Sequence, residues 1–187
     1  MGKLYDSIEH NLRAFIEAQR VFFVGTAPLS ADGHVNISPK GLDALRVLDP
    51  RTLIYLDYVG SGAETIAHLR ENSRIVIMLC AFQGPPKIVR LHGTGEVFEP
   101  GDSAYAELRG MFAPEPPARA IIRISVDRIS DSCGYGVPLH TYQGERTQLP
   151  AWATKKGEEG LREYQEEKNS VSIDGLPALR WPAGEIR

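Results

Sequence analysis

The chain has 187 residues, 42% hydrophobic and 24% charged, a make-up that excludes a disordered polymer or a collagen-like repeat. Its 21 Lys+Arg against 24 Asp+Glu leave a net charge of −3, with no overall positive field to hold a phosphate backbone, so nucleic acid is not an expected partner. The longest apolar run, residues 75–82, falls well short of the about 20 residues that a membrane-crossing helix needs.

A chain of this size buries roughly 70% of its unfolded surface without covalent help, so Cys80 and Cys133 read as reduced thiols. Residues 1–6 run straight into an amphipathic pattern with no apolar leader, and the expected location is the cytoplasm. Leu4, Ile8, Leu12, Phe15 and Ile16 recur at helical spacing behind Asp6-Ser7-Ile8-Glu9, which predicts a capped N-terminal helix within residues 1–20. The period then changes. Residues 21–26 are β-branched and aromatic, Asp32-Gly33 supplies a turn, and residues 35–38 alternate, which predicts a hairpin. Residues 52–58 form a third strand after Asp49-Pro50-Arg51, residues 63–71 a short helix, and residues 75–82 a strand apolar on both faces and therefore central. Residues 87–98 and 118–129 complete six strands, with a helix over 102–111 between them.

Strands joined mostly by turns cannot form a doubly wound sheet, because parallel pairing needs a crossover each time. The expected fold is mainly β with peripheral helices, a six-stranded antiparallel barrel occupying residues 1–187 as one domain. In residues 140–187, Glu158, Glu159, Arg162, Glu163, Glu166 and Glu167 predict a solvated helix, and the following tail is expected to pack on the barrel or on a second subunit.

Gly60-Ser61-Gly62-Ala63-Glu64-Thr65 follows a strand and opens a helix, where free backbone N–H groups can meet a phosphate. A dinucleotide fingerprint is ruled out by Thr65 in the place of its third glycine. The same residues also spell a capping box, with Ser61 serving Glu64, and both uses remain open. Arg90 is either an edge-strand charge or a ligand for something acidic. Cys133 and His140 invite a nucleophile pairing, while the glycines around Cys133 suggest a backbone lying close to a flat ligand or another chain. The five histidines have no zinc-ligand spacing, so no metal is expected.

Asn36-Ile37-Ser38-Pro39-Lys40-Gly41, the strand over 52–57, the Gly60 to Thr65 turn, Glu71-Asn72-Ser73-Arg74 and Arg90-Leu91-His92-Gly93 together resemble the pyridoxamine 5'-phosphate oxidase-like flavoproteins. Ser132-Cys133-Gly134-Tyr135-Gly136-Val137-Pro138 and Ser172-Ile173-Asp174-Gly175-Leu176-Pro177 look like segments of an uncharacterised branch of that family. The resemblance implies a split-barrel homodimer that holds FMN at the subunit interface, with haem or deazaflavin as alternatives used by relatives. It places Ser38 and Lys40 along the phosphate and ribityl side, Ser61, Gly62 and Thr65 at the phosphate, Tyr55 and Asp57 at the sugar-like chain, and Lys87 and Arg90 beside the ring or phosphate.

Two departures narrow the implied activity. The family's C-terminal Arg-Leu-His substrate segment has its counterpart here in mid-chain, at Arg90-Leu91-His92, so oxidation of pyridoxamine phosphate itself is not expected. Ala63 and Glu64 stand where the family carries a phosphate arginine. The resulting expectation is an FMN-dependent oxidoreductase acting on a small molecule, with Tyr135 and His92 as the nominated proton-transfer groups, against a non-catalytic flavin- or haem-binding protein of the same fold.

Overall fold

The computed structural model describes residues 2–180. In chain order the elements are β1 (Leu4–Tyr5), α1 (His10–Ala18), β2 (Phe22–Thr26), β3 (Asn36–Lys40), β4 (Leu45–Asp49), β5 (Thr52–Tyr58), α2 (Glu64–Asn72), β6 (Arg74–Cys80), β7 (Ile88–Phe98), α3 (Tyr105–Arg109), β8 (Ala118–Ser132) and α4 (Gln148–Asn169). The strands pair antiparallel in the order β3-β2-β6-β7-β8-β5-β4, with β1 added to β8. The mainly β architecture with peripheral helices follows the expectation. The sheet has eight strands, the additions to the six being β1 and β4.

Each addition has a physical reason. β5 covers one edge of β8 only as far as Ser125, and β1 continues that edge by pairing Leu4 with Ser130 and Tyr5 with Ile129. Backbone groups that would otherwise be left open are thereby satisfied. This shortens the predicted N-terminal helix, which starts at His10, and Glu9 caps it without a side-chain bond. β4 pairs with β5 across the Asp49-Pro50-Arg51 turn.

The core is filled from both faces of β5, where Leu53, Ile54, Tyr55 and Leu56 are at most 1% exposed, and from Ile121, Ile122 and Ile124 of β8. Two irregularities shape β8. Its register with β7 slips beside Gly93, where a Cβ would come within 2.0 Å of the Ser125 carbonyl oxygen, so only glycine fits. Its register with β5 slips between Asp57, which faces Ala120, and Tyr58, which faces Ala118, leaving Arg119 as the extra residue.

α2 is capped by Ala63 without a side-chain bond, so the Ser61 capping box does not form. The predicted helix over 102–111 is reduced to the five residues of α3. The solvated C-terminal helix is present and begins earlier, at Gln148, with a break at Gly157, whose φ of 67° is left-handed. The tail then packs back on the barrel: Arg70 Nε donates to the Ala178 carbonyl at 2.5 Å, and Ala178 and Leu179 are buried in the main core. The tail residues 181–187 lie outside the described residues. No helix among the described residues is long and apolar enough to cross a membrane.

Candidate functional site

Alternation along β3 turns Asn36, Ser38 and Lys40 to one half-buried face and Ile37 and Pro39 outward. Lys40 Nζ donates to Asp57 Oδ1 at 2.7 Å, and Arg119 Nε donates to Asp57 Oδ2 at 2.9 Å. Asp57 is completely buried. Burial pushes its carboxyl pKa up, but the charges of Arg119 and Lys40 outweigh it and hold the group at about 2.

Arg119 continues the chain of contacts. Its Nη1 donates to the Gly60 carbonyl at 3.0 Å and its Nη2 to the Gly62 carbonyl at 2.6 Å. Asn169, also fully buried, donates from Nδ2 to the Gly60 carbonyl at 2.8 Å and the Ser61 carbonyl at 3.3 Å. Three successive carbonyls are therefore gripped from inside. In trans peptides the following N–H points the opposite way, so the N–H groups of Ser61, Gly62 and Ala63 turn away from these donors. Among the described residues none of the three has a hydrogen-bond acceptor. One carboxylate lies across this loop: Glu64 Oε2 sits 2.7 Å from where a Gly62 Cβ would be, and Glu64 Oε1 accepts from the Ile173 N–H at 3.4 Å.

A second, neutral network adjoins it. Asn36 Nδ2 donates to Thr65 Oγ1 at 2.9 Å and Thr26 Oγ1 at 3.1 Å, Ser38 Oγ donates to Asn36 Oδ1 at 3.0 Å, and His68 Nδ1 lies 3.0 Å from Thr26 Oγ1. Burial lowers the His68 pKa and raises that of Tyr55 well above its usual value, the latter with help from the Asp57 charge. Tyr55 packs edge-on against Phe22, and among the described residues its hydroxyl and His68 Nε2 have no partner.

Lys87 and Arg90 fall elsewhere. Lys87 Nζ donates to the Tyr5 hydroxyl at 3.3 Å and lies 3.7 Å from Asp131, while Arg90 Nη1 donates to Ser132 Oγ at 3.0 Å. The nine predicted residues thus divide: Ser38, Lys40, Tyr55, Asp57, Ser61, Gly62 and Thr65 gather around β3, β5 and the start of α2, whereas Lys87 and Arg90 join β1 and the end of β8. His140 stacks on Phe82, with ring centres 5.2 Å apart at 25°, rather than meeting the exposed Cys133. Tyr135 is 83% exposed, and His92 Nδ1 is buried without a partner among the described residues.

Lys40 also lines a cavity of about 830 Å³, within the size range of sites that bury a whole small ligand. Its other walls include Arg20, Leu42, Phe82, His140 and Arg146. Leu42 and its neighbour Asp43 hold left-handed backbone, φ 58° and 56°, and the Tyr58 hydroxyl fixes the first by donating to the Leu42 carbonyl at 2.9 Å. Non-glycine residues in this conformation are costly and gather at ligand sites.

Sequence reasoning did not single out Arg119, Asn169 or the cavity segment over residues 140–149. Strict alternation puts Arg119 on the face of β8 opposite Ala120, and hence opposite Asp57. Only the bulge turns it inward.

The barrel and its ion network sit in the stretch that identifies the chain. Residues 8–133 match the sequence model of the pyridoxamine 5'-phosphate oxidase family, and the chain belongs to that family. The pyridoxamine 5'-phosphate oxidase family protein ustO of Aspergillus flavus is 39% identical over a gapped alignment of 198 positions that covers 96% of this chain and 78% of that protein. Among solved structures, HupZ of Group A Streptococcus is similar, with 26% identity and a TM-score of 0.50 over 65% of this chain and 91% of that one. So is a protein of Clostridium acetobutylicum related to general stress protein 26, of the pyridoxinephosphate oxidase family, with 14% identity and a TM-score of 0.50 over 64% of this chain and 84% of that one.

Proposed function

We propose that the chain is an FMN-dependent oxidoreductase of the cytoplasm, working on a small molecule as a homodimer. The observation that carries this reading is the unbroken contact from the cavity wall to the start of α2, Lys40 to Asp57 to Arg119 to the carbonyls of Gly60 and Gly62. The donor set suits a flat ligand that bears a phosphate: Lys40 and the flat Phe82–His140 pair for the ring end, and the outward N–H groups of Ser61, Gly62 and Ala63 at a helix start for the anion. Bound FMN would supply the electron transfer. The chain's own groups fix it: Asp57 orients Lys40, and Arg119 and Asn169 orient the loop. Ile37 on edge strand β3 and Val35 just before it are about 70% exposed, with Leu29 and Ile173 similarly bare, a surface that supports pairing with a second copy.

The test is flavin retention. FMN absorption should stay with the protein through gel filtration, and Lys40→Ala should weaken binding by about 10- to 100-fold, the loss of one charge-assisted contact. A protein that retains no flavin overturns the reading, and a Soret-type band after expression would replace FMN by haem. Reoxidation of a chemical reductant faster than by free FMN separates an enzyme from a flavin-storing protein. Sedimentation as a monomer at micromolar concentration would remove the dimer.

A further inference from the structure

The C-terminal tail meets the loop at the head of α2 from two sides. Asn169 grips the Gly60 and Ser61 carbonyls from within, and the turn that follows it reaches Glu64, the first residue of the helix. Backbone bonds fix the base of this turn: Val171 pairs with Pro177, the Ser172 N–H donates to the Leu176 carbonyl at 2.9 Å, and the Ala178 N–H donates to the Ser170 carbonyl at 2.9 Å. Gly175, with a left-handed φ of 76°, closes it and leaves Ile173 and Asp174 at the tip.

Among the described residues, two partners tie the tip down. The Ile173 N–H donates to Glu64 Oε1 at 3.4 Å. Asp174 takes both of its bonds from His34 on the β2–β3 hairpin: Oδ2 accepts from the His34 N–H at 2.8 Å, and Oδ1 lies 2.7 Å from His34 Nδ1. An ionised carboxylate only accepts, so Nδ1 is the donor. The same bonds hold the Asp174 carboxyl below its ordinary pKa. The His34 side chain is 70% exposed, and an ion pair so open to water is given up at little cost. The base is therefore fixed and the tip detachable.

The tip also sets where the Glu64 carboxylate rests. With Oε1 drawn to Ile173, Oε2 lies across Gly62, 2.7 Å from where a Cβ would stand, on the loop whose Ser61, Gly62 and Ala63 N–H groups turn outward. A carboxylate at a helix start answers the same partial positive charge as a phosphate does, and two anions there repel. We infer that the turn over residues 171–177 is a latch on the anion seat at the head of α2. Closed, with Asp174 on His34, it keeps Glu64 over the seat as a built-in competitor. Open, it lets Glu64 swing into water and frees the N–H groups for a phosphate. The turn lies beyond residue 133, where the family match ends, so the latch is an addition to the shared barrel.

The latch rests on the flavin reading for its seat, so calorimetry measures affinity for both FMN and inorganic phosphate. Asp174→Ala and His34→Ala should each tighten both ligands by about 2- to 5-fold, the worth of an exposed ion pair. Glu64→Gln should gain at least as much, because opening the latch can do no more than remove the competitor. Glu64→Gln combined with Asp174→Ala should gain no more than Glu64→Gln alone, a non-additivity that a merely structural turn does not produce. His34 is a surface residue, so His34→Ala carries the test with unchanged circular dichroism even where Asp174→Ala fails to fold.

Affinities that fall or stay level in the tip variants overturn the latch, as does a double variant whose gain is the product of the two single gains. Phosphate binding tightened by the tip variants in a protein that retains no FMN supports the latch and removes the flavin reading alone. FMN retained equally by all the variants does the reverse.

Discussion

The structure contains the same residue pair in two settings. Lys40 and Asp57 meet at 2.7 Å with side chains 18% and 0% exposed, and a third group, Arg119, closes on the other carboxylate oxygen. Lys87 and Asp131 stand 3.7 Å apart with side chains 30% and 19% exposed, beside the Tyr5 hydroxyl and the Lys3 N–H. The first pair organises a loop it does not belong to, and the second fastens the N-terminal strand to β8. Depth accounts for the difference. A buried carboxylate must be matched on both oxygens, and the group that does so brings its remaining donors with it.

Removing the acid at each place should break the comparison most sharply. Asp57→Ala leaves the buried Arg119 and the half-buried Lys40 without a counter-charge and should cost about 3–5 kcal/mol in urea unfolding. Asp131→Ala should cost about 1 kcal/mol, since its partners can turn to water. Equal losses would show that burial is not what separates the two.

Acid sharpens the contrast. Asp57 titrates at about 2 in the folded chain against 3.8 ordinarily. Between those values the unfolded chain binds more protons, so the stability Asp57 supplies is present above pH 4 and is lost as pH falls towards 2. The expected share is about 2 kcal/mol, and Asp57→Asn should flatten that part of the pH–stability curve.

Asn169→Ala removes the inner grip on the Gly60 and Ser61 carbonyls. It should cost about 1–2 kcal/mol and weaken FMN binding several-fold, with Lys40 left in place. The smallest effect is expected from Glu64→Gln, which lifts a negative charge from the outward N–H groups and should tighten FMN binding a few-fold. A loosened complex would mean that Glu64 supports the loop.

Much of the barrel was legible in the sequence, because β-branched and apolar runs bounded by Gly, Pro and Asp, alternating in β3 and β8 and continuous in β6, mark β2, β3, β5, β6, β7 and β8 directly. β1 was not, since two residues contain no period and the helical spacing of Leu4 with Ile8 competes for them. β4 was masked because Leu45-Arg46-Val47-Leu48 mixes the two faces. Seven of the nine candidate ligands gather in one region because they come from adjoining elements whose inward faces alternation reveals. Arg119 escaped because a bulge reverses its face. Asn169 sits at the end of a charged helix, where nothing local signals a contact with Gly60, 109 residues away.

That separation sets an order of events during synthesis. Tyr5 waits for Ile129, and the Gly60 carbonyl waits for Asn169, before either reaches its final contact. The barrel strands are complete once β8 emerges, while the loop at the head of α2 is finished only by the last stretch of the described chain. A released chain truncated after residue 150 should therefore hold a folded sheet and an unfinished loop, so that the head of α2 matures last and as a separate step.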